Sequence, residues 1–201
     1  MKLYNAALSP NGKRVRICAA ELGLALDQAP IDFARGDART PEYLALNPMG
    51  KVPTLTDGPF VLWESAAILF YLAAERGPSA LWPADARAQA DTMRWLFFCS
   101  CHVDPYFTTL VVERFIKPRR ELPTDEAQVA HATESLARFV PVLERQLGAR
   151  EFVAGRFGLG DIALACTIEL APSLGYDLSP YEQVRAWLAR CQSRPSWKAL
   201  G

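Results

Sequence analysis

The sequence lacks an excess of charge of either sign. Its 22 Lys and Arg residues balance 22 Asp and Glu residues, so the formal net charge is zero. Domains that bind nucleic acid or an anionic membrane surface usually carry a basic excess. We therefore expect a protein whose partners are neither nucleic acids nor membranes.

Long apolar runs are also missing. The densest apolar stretch, residues 66–74, is much shorter than the roughly 20 residues that a membrane-spanning helix needs. The N-terminus, which reads MKLYN, lacks the apolar core of a secretory signal peptide. The five cysteines are odd in number and do not have the spacing of metal ligands, which favours buried, reduced thiols. These absences indicate a cytoplasmic protein without a metal cofactor.

The sequence does contain enough apolar residues for a sizeable core. Half of the 201 residues are apolar and 22% are charged, as in an ordinary globular protein with one large domain or two small ones. Residues 1–77 contain alternating strand and helix patterns. The predicted strands are 2–6, 29–33, 52–56 and 60–63, and the predicted helices are 13–24, 41–46 and 65–75. This βαβαββα order indicates an α/β domain, in which a parallel βαβ unit precedes a hairpin and a covering helix.

Helical periodicity dominates the rest of the chain. Residues 78–85, which include two prolines, are predicted to form a linker to an all-helical domain at 86–201. The predicted helices are 85–117 (one helix, or two that meet near Pro105), 124–147, 159–171 and 181–191, with a final turn after Pro195. The predicted fold class is therefore α/β plus all-α.

A turn near the N-terminus combines a hydroxyl, an amide and a glycine. The run LYNAAL ends at Ser9, Pro10, Asn11 and Gly12, and a basic helical segment follows. Ser9 and Asn11 are therefore expected at the start of a helix, where backbone N–H groups have no partner within the helix and favour an anion. The sequence has no Gly-x-Ser-x-Gly motif, and neither histidine lies near Ser9 in the chain, which argues against a serine hydrolase.

Two further blocks, read together with this turn, resemble a known family. Residues 47–55 read NPMGKVPTL and residues 63–72 read WESAAILFYL. After an N-terminal βαβ pattern, these blocks are similar to those of the cytosolic glutathione transferase superfamily, and the resemblance covers essentially the whole chain. It implies a thioredoxin-like, glutathione-binding domain followed by an all-helical domain. The Ser-Pro-Asn-Gly turn is similar to that of several bacterial groups, including some that reduce disulfides of glutathione.

The resemblance implies a binding residue for each part of glutathione. The Val52–Pro53 bond would be cis, and the main chain of Val52 would pair with the cysteinyl part as an added strand does. Glu64 and Ser65 would bind the ammonium and the α-carboxylate of the γ-glutamyl group, with help from a helix N-terminus. Taken alone, Ser65 is also the expected N-cap of that helix. Lys51, with Arg39 as a second candidate, would meet the glycyl carboxylate, although a surface lysine is usually only solvated.

Catalysis in this interpretation depends on the glutathione thiol. The thiol is mostly protonated near neutral pH, whereas the thiolate is the nucleophile. A hydrogen bond donated to the thiolate lowers the thiol pKa. Ser9 is placed to donate that bond, and Asn11 to donate a second. The resemblance also places His102 and Tyr106 on a helix that lines the electrophile pocket, although a lone helical histidine is more often structural.

Three functions fit these residues. The favoured one is a detoxifying glutathione transferase that stabilises the glutathione thiolate and adds it to small apolar electrophiles, with glutathione as co-substrate. The others are a glutathione-dependent disulfide reductase and a non-catalytic binding module of the same fold. The resemblance further implies a homodimer. It also implies a capping box in which Asp161 accepts the backbone N–H of Gly158, where glycine replaces the usual hydroxyl residue.

Overall fold

A four-stranded sheet organises the N-terminal part of the chain. In the computed structural model, which describes residues 1–79 and 81–200, the strands are β1 (Lys2–Asn5), β2 (Asp27–Pro30), β3 (Thr54–Asp57) and β4 (Phe60–Trp63). Their order across the sheet is β2-β1-β3-β4. β1 pairs with β2 in parallel, and β3 pairs antiparallel with both β1 and β4. The sheet therefore has the predicted βαβ unit followed by a hairpin.

The strand boundaries are set by pairing rather than by apolar content. β2 ends at Pro30, opposite Asn5 at the end of β1, so it is shorter and earlier than the predicted strand 29–33. β3 begins at Thr54, after Pro53, rather than at residue 52. Proline has no N–H to give to a sheet ladder, so pairing starts beyond it.

Three helices accompany this sheet: α1 (Pro10–Glu21), α2 (Pro41–Leu46) and α3 (Ser65–Glu75). α1 begins three residues earlier than the predicted 13–24, because proline is well suited to a first helical turn. The prediction that Ser65 caps α3 was wrong. Glu64 occupies the N-cap position, with a positive φ of 73°, and Ser65 is the first helical residue.

The following helical part of the chain is continuous where one or two helices were predicted. α4 (Ala86–Phe98) leads through a π-helical segment (Cys99–Val103) to α5 (Asp104–Val111), and a second π-helical segment (Val112–Ile116) leads to α6 (Lys117–Arg119). Pro105 lies in the first turn of α5. Proline disrupts an ordinary α-helical turn before it, because it lacks the N–H and its ring clashes with the preceding turn. The wider π-helical turn at this point accommodates the proline ring.

The remaining helices are α7 (Glu126–Gly148), α8 (Leu159–Ile168), α9 (Glu182–Gln192) and α10 (Pro195–Lys198). Their boundaries lie within three residues of the predictions. Every residue of α8 is buried, so this helix lies at the centre of the core formed by the helices. Among the described residues, no helix is long and apolar enough to cross a membrane.

Asp161 holds the start of α8 in place. Its carboxylate accepts hydrogen bonds from the backbone N–H of Gly158 (3.0 Å) and of Val153 (3.0 Å), and from the indole N–H of Trp187 (2.8 Å). The bond to Gly158 confirms the predicted capping role of Asp161. Burial raises the pKa of the Asp161 carboxyl to about 6, although these three donors oppose the shift.

The chain divides into two compact units. One comprises Met1–Ala84 together with Pro195–Gly201, and the other comprises Asp85–Arg194. The last segment therefore belongs with the sheet, although the sequence analysis assigned it to the helical domain at 86–201. Ala80 of the predicted linker 78–85, and Gly201 at the end of the predicted helical domain, lie outside the described residues.

Candidate active site

Ser9 lies at the N-terminus of α1, as predicted. Its hydroxyl oxygen accepts the backbone N–H of Gly12 at 3.2 Å and so caps the helix. An N-cap serine uses a lone pair for this bond. The hydroxyl hydrogen of Ser9 is therefore left to be donated to another group, and Ser9 is only half-buried. The cap thus presents an O–H donor beside the positive end of a helix dipole.

Asn11 and Ser65, which are 54 residues apart in the chain, lie side by side. The Ser65 hydroxyl donates to Oδ1 of Asn11 at 3.3 Å. The same hydroxyl oxygen accepts an N–H from the guanidinium of Arg14 at 3.2 Å. The structure therefore joins the N-terminus of α1 to that of α3 through three side chains.

Arg14 is a site residue that the sequence analysis missed. It is only 2% exposed, which is unusual for an arginine and indicates a structural or functional partner. One signal for it existed in the sequence. Arg14 lies three and four residues before the apolar Ile17 and Cys18, so it falls on the buried face of α1.

Glu64 precedes Ser65 with its side chain exposed to solvent. Its φ of 73° lies in the region that favours glycine, so its backbone is held in an unfavourable conformation. Such residues persist where the surrounding structure fixes them, and they cluster at functional sites. A carboxylate is thereby placed directly before the first turn of α3.

The Val52–Pro53 peptide bond is cis, which confirms the prediction from the sequence. Val52 and Pro53 are both buried, whereas Lys51 is exposed. Because the pairing of β3 with β1 begins at Thr54, Val52 lies just before the ladder.

Two side chains that the sequence analysis missed hold this segment. The hydroxyl of Tyr43 donates to the carbonyl of Lys51 at 2.6 Å, and the amide of Asn47 donates to the same carbonyl at 2.9 Å. The amide of Asn47 also donates to the hydroxyl of Thr54 at 3.1 Å. Tyr43 and Asn47 are one helical turn apart on α2 and its end, a spacing that places both on one side. They hold the Lys51 carbonyl before the cis bond and the Thr54 hydroxyl after it.

His102 and Tyr106 belong to an aromatic cluster of the helical unit. The ring of Phe139, on α7, lies 4.9 Å from that of His102 and 5.9 Å from that of Tyr106. Phe98 packs 5.8 Å from His102, and His131 packs 5.9 Å from Tyr106. The structure thus brings the two predicted electrophile-pocket residues together and packs both against α7.

The five cysteines are all free. Cys18, Cys99, Cys166 and Cys191 are buried, as predicted, whereas the prediction was wrong for Cys101, which is exposed on the helical unit. Burial raises the pKa of the Cys18 thiol well above its usual range, which keeps it protonated and unreactive. Within the part of the chain that the structure describes, no cluster of three or more His, Cys, Asp or Glu side chains is arranged to hold a metal ion.

Comparison with known proteins agrees with this geometry. Residues 1–74 match the family model of the glutathione S-transferase N-terminal domain, and residues 92–195 match that of the glutathione S-transferase C-terminal domain. Glutathione S-transferase F10 of Arabidopsis thaliana is 32% identical over 203 residues, which cover 97% of this chain and 94% of the relative.

Solved structures of glutathione transferases also resemble this chain over nearly its whole length. Glutathione transferase F2 of Populus trichocarpa superposes with a TM-score of 0.91 at 26% identity, over 99% of this chain and 96% of that chain. A glutathione S-transferase I bound to lactoylglutathione superposes with a TM-score of 0.88 at 29% identity, over 99% and 97% of the two chains.

Fold and site together define a protein with a thioredoxin-like unit and a helical unit, as the sequence analysis predicted. The chain belongs to the glutathione S-transferase family, and it is a glutathione transferase.

Proposed function

We propose that the N-terminal unit binds glutathione and that Ser9 stabilises the glutathione thiolate for attack on small apolar electrophiles. The observation that carries this proposal is the bond from the Gly12 N–H to the Ser9 oxygen, which leaves the Ser9 hydrogen available to an anion. A hydrogen bond to the thiolate lowers the pKa of the thiol and so raises the fraction of nucleophile near neutral pH. Asn11 supplies a second donor in this proposal.

Four residues and the N-terminus of α3 hold the tripeptide in this proposal. The main chain of Val52, before the cis bond to Pro53, pairs with the cysteinyl part, and Lys51 meets the glycyl carboxylate. At the start of α3, Glu64 takes the ammonium of the γ-glutamyl group. Ser65 and the first backbone N–H groups of α3 take its α-carboxylate. Opposite charges a few ångströms apart are what a zwitterionic amino-acid end requires.

The electrophile is proposed to meet the apolar and aromatic surface around His102 and Tyr106. The rings of Phe98 and Phe139 extend this surface. Such rings offer large apolar contact area with few rotatable bonds, which suits small apolar molecules. Substitution of Tyr106 by alanine is therefore expected to raise KM for an apolar electrophile without changing KM for glutathione.

The Ser9→Ala variant tests the central step. Because one donor to the thiolate is lost, kcat for conjugation of chlorodinitrobenzene should fall by roughly tenfold. KM for glutathione should stay nearly constant, since Ser9 touches only the sulfur in this proposal. Ser173→Ala, an exposed serine in the helical unit, is the matched control. Unchanged turnover in Ser9→Ala would show that Asn11 or backbone N–H groups activate the thiol instead.

The binding assignment is tested at the other end of glutathione. Glu64→Gln and Ser65→Ala should weaken retention on immobilised glutathione and raise KM for glutathione before they affect kcat. Full affinity in both variants would refute the assignment of the γ-glutamyl site to the start of α3.

The same measurements separate the transferase from its alternatives. A non-catalytic module would be retained on glutathione but would not conjugate chlorodinitrobenzene. A disulfide reductase would reduce hydroxyethyl disulfide faster than it conjugates. We favour thiolate transfer because the activating hydroxyl is present and the nearest cysteine in the chain, Cys18, is buried.

A homodimer in the cytoplasm is proposed as the working form. Apolar side chains are exposed on the sheet unit at Met49, Phe60, Trp63 and Phe70, and a second copy would cover them. Light scattering at micromolar concentration should give the mass of two chains. A monomeric mass would contradict this part of the proposal.

A further inference from the structure

Four polar groups behind Val52 form a closed ring of hydrogen bonds. The hydroxyl of Tyr43 and the amide of Asn47 both contact the carbonyl of Lys51, at 2.6 and 2.9 Å. The same two groups contact the hydroxyl of Thr54, at 3.0 and 3.1 Å. The three side chains of this ring are no more than 4% exposed, so water does not compete for their bonds.

The direction of each bond in the ring follows from a count of donors. A carbonyl oxygen only accepts, so the single hydrogen of the Tyr43 hydroxyl goes to Lys51. The Tyr43 oxygen must then accept the hydroxyl hydrogen of Thr54. Asn47 donates one amide hydrogen to the Thr54 oxygen and the other to Lys51. This orientation of the Asn47 amide is fixed, because its oxygen accepts the backbone N–H of Met49 at 3.0 Å.

The ring determines where the N–H of Val52 points. The Lys51 carbonyl and the Val52 N–H belong to one planar trans peptide, in which the two bonds point in opposite directions. Because the Lys51 carbonyl is directed at Tyr43 and Asn47, the Val52 N–H is directed away from them. The side chain of Val52 also packs against Tyr43, in an apolar cluster with Ala38. The peptide unit is therefore held from its carbonyl side.

We propose that Tyr43 is a positioning residue for glutathione, whose hydroxyl holds the Lys51–Val52 peptide so that the Val52 N–H donates to the cysteinyl carbonyl of the ligand. The proposal rests on the function proposed above and deepens it, because it assigns part of the affinity to a side chain that does not touch the ligand. A binding segment that is already ordered strengthens binding, since the cost of ordering it does not fall on the ligand.

The Tyr43→Phe variant removes only the hydroxyl and keeps the aromatic ring that packs against Val52. The dissociation constant and KM for glutathione should rise by roughly fivefold to tenfold, since a buried hydrogen bond to Lys51 is lost. Saturated kcat and KM for chlorodinitrobenzene should not change, because Ser9 is untouched. Tyr4→Phe is the matched control: its ring lies 5.9 Å from that of Tyr43, and loss of its hydroxyl should leave KM for glutathione unchanged.

A change in the ligand identifies the atom that the ring serves. An analogue of glutathione in which an (E)-alkene replaces the cysteinyl-glycine amide has no carbonyl to accept the Val52 N–H. In titration calorimetry the wild-type protein should bind this analogue roughly tenfold more weakly than glutathione. In Tyr43→Phe the ratio should shrink to about twofold, because the N–H is no longer held toward the ligand.

Variants of Thr54 test the ring from its other side. Thr54→Val removes the hydroxyl that Tyr43 and Asn47 contact, so it should lower the ratio between glutathione and the analogue as Tyr43→Phe does. Thr54→Ser keeps that hydroxyl and should keep the wild-type ratio. Circular dichroism checks that each variant is folded, and either Tyr43→Phe or Thr54→Val is sufficient to decide the matter.

Several results would overturn the proposal. Unchanged affinity for glutathione in Tyr43→Phe and Thr54→Val would show that the ring does not position the ligand. A wild-type ratio between the two ligands in folded Tyr43→Phe would show that the hydroxyl contributes to stability alone. Equal binding of glutathione and the analogue by the wild-type protein would exclude the Val52 N–H as a donor. Failure of the wild-type protein to bind glutathione at all would instead refute the proposed function.

Discussion

At the scale of single residues, the turn at the start of α1 requires glycine at position 12, because there is no room for a side chain. Gly12 is buried within the first turn of α1, beside Ser9 and Asn11. A Cβ built at Gly12 would lie 1.6 Å from Oδ1 of Asn5, at the end of β1. Asn5 is itself buried, so it has little room to move away. Glycine is required here for space.

Substitution of Gly12 by alanine should therefore disturb both stability and catalysis. Overpacking of this kind costs about 1–3 kcal/mol of unfolding free energy. It should also displace the Ser9 hydroxyl and lower kcat for conjugation. Gly148→Ala is the control, because nothing lies within 4 Å of its Cβ position at the end of α7. Urea unfolding and steady-state conjugation measure the two effects, and wild-type values for Gly12→Ala would show that Asn5 gives way freely.

At the scale of elements, α8 is fixed by a carboxylate that it buries. Asp161 receives its three hydrogen bonds from Val153, from Gly158 at the helix start, and from Trp187 on α9. The ionised carboxylate accepts all three hydrogen bonds, but burial makes the ionised form less favourable than the protonated form. The outcome is a pKa of about 6, well above the ordinary value of 3.8. α8 is thus held by a group that titrates in the mildly acidic range.

The pH dependence of stability should show this titration. Since the pKa is raised on folding, the folded state binds the proton more tightly, and the contribution of Asp161 is fully present below about 3.8 and is lost as pH rises through about 6. The unfolding free energy of the wild-type protein relative to Asp161→Asn should therefore fall between pH 4 and pH 7, by up to about 3 kcal/mol. Urea unfolding at a series of pH values measures this difference.

Asp177→Asn should change the stability with pH in the opposite direction. Hydrogen bonds donated by the backbone N–H and the hydroxyl of Ser179 lower the pKa of Asp177, so its contribution is lost as pH falls, which is the opposite sign. A flat difference between the wild-type protein and Asp161→Asn across the range would show that the Asp161 carboxyl titrates alike in the folded and unfolded states.

At the scale of the whole molecule, the order of the chain differs from the order of its units. The chain leaves the sheet unit at Ala84, forms the helical unit, and returns to the sheet unit at Pro195. There the Ser196 hydroxyl donates to the Glu21 carboxylate at 2.5 Å, and the Lys13 ammonium lies 5.2 Å from the ring centre of Trp197. Both partners are on α1, the helix that carries Ser9. The last residues of the chain therefore support the helix that starts the site.

Removal of the Trp197 side chain should destabilise the protein. Trp197 is buried, and substitution of a buried aromatic residue by alanine costs about 3–5 kcal/mol. Thermal unfolding should show a clearly lower midpoint for Trp197→Ala, while Lys198→Ala, its exposed neighbour, should behave like the wild-type protein. Identical midpoints for all three proteins would mean that the C-terminal segment contributes nothing to the fold.

The sequence by itself determined the features that are encoded locally. Hydrophobic periodicity gave the order of strands and helices, and hydroxyl, proline and glycine residues marked the turns and most helix starts. Three such features could be predicted, because each depends on neighbouring residues or on a resemblance carried by short motifs. They are the Ser9 cap, the cis bond before Pro53 and the capping role of Asp161.

Only the tertiary structure decided the contacts between distant parts of the chain. Arg14 meets Ser65 across 51 residues, and Ser196 meets Glu21 across 175 residues. Local patterns contain no information on such pairs, since they arise when whole elements pack against one another. For the same reason the sequence placed Ser65 as a cap, whereas packing of α1 against α3 made it the partner of Asn11 and Arg14. The sequence indicated candidate residues such as Ser9, Asn11 and Ser65, whereas the packing of α1 on α3 added Arg14 and decided how these side chains are connected.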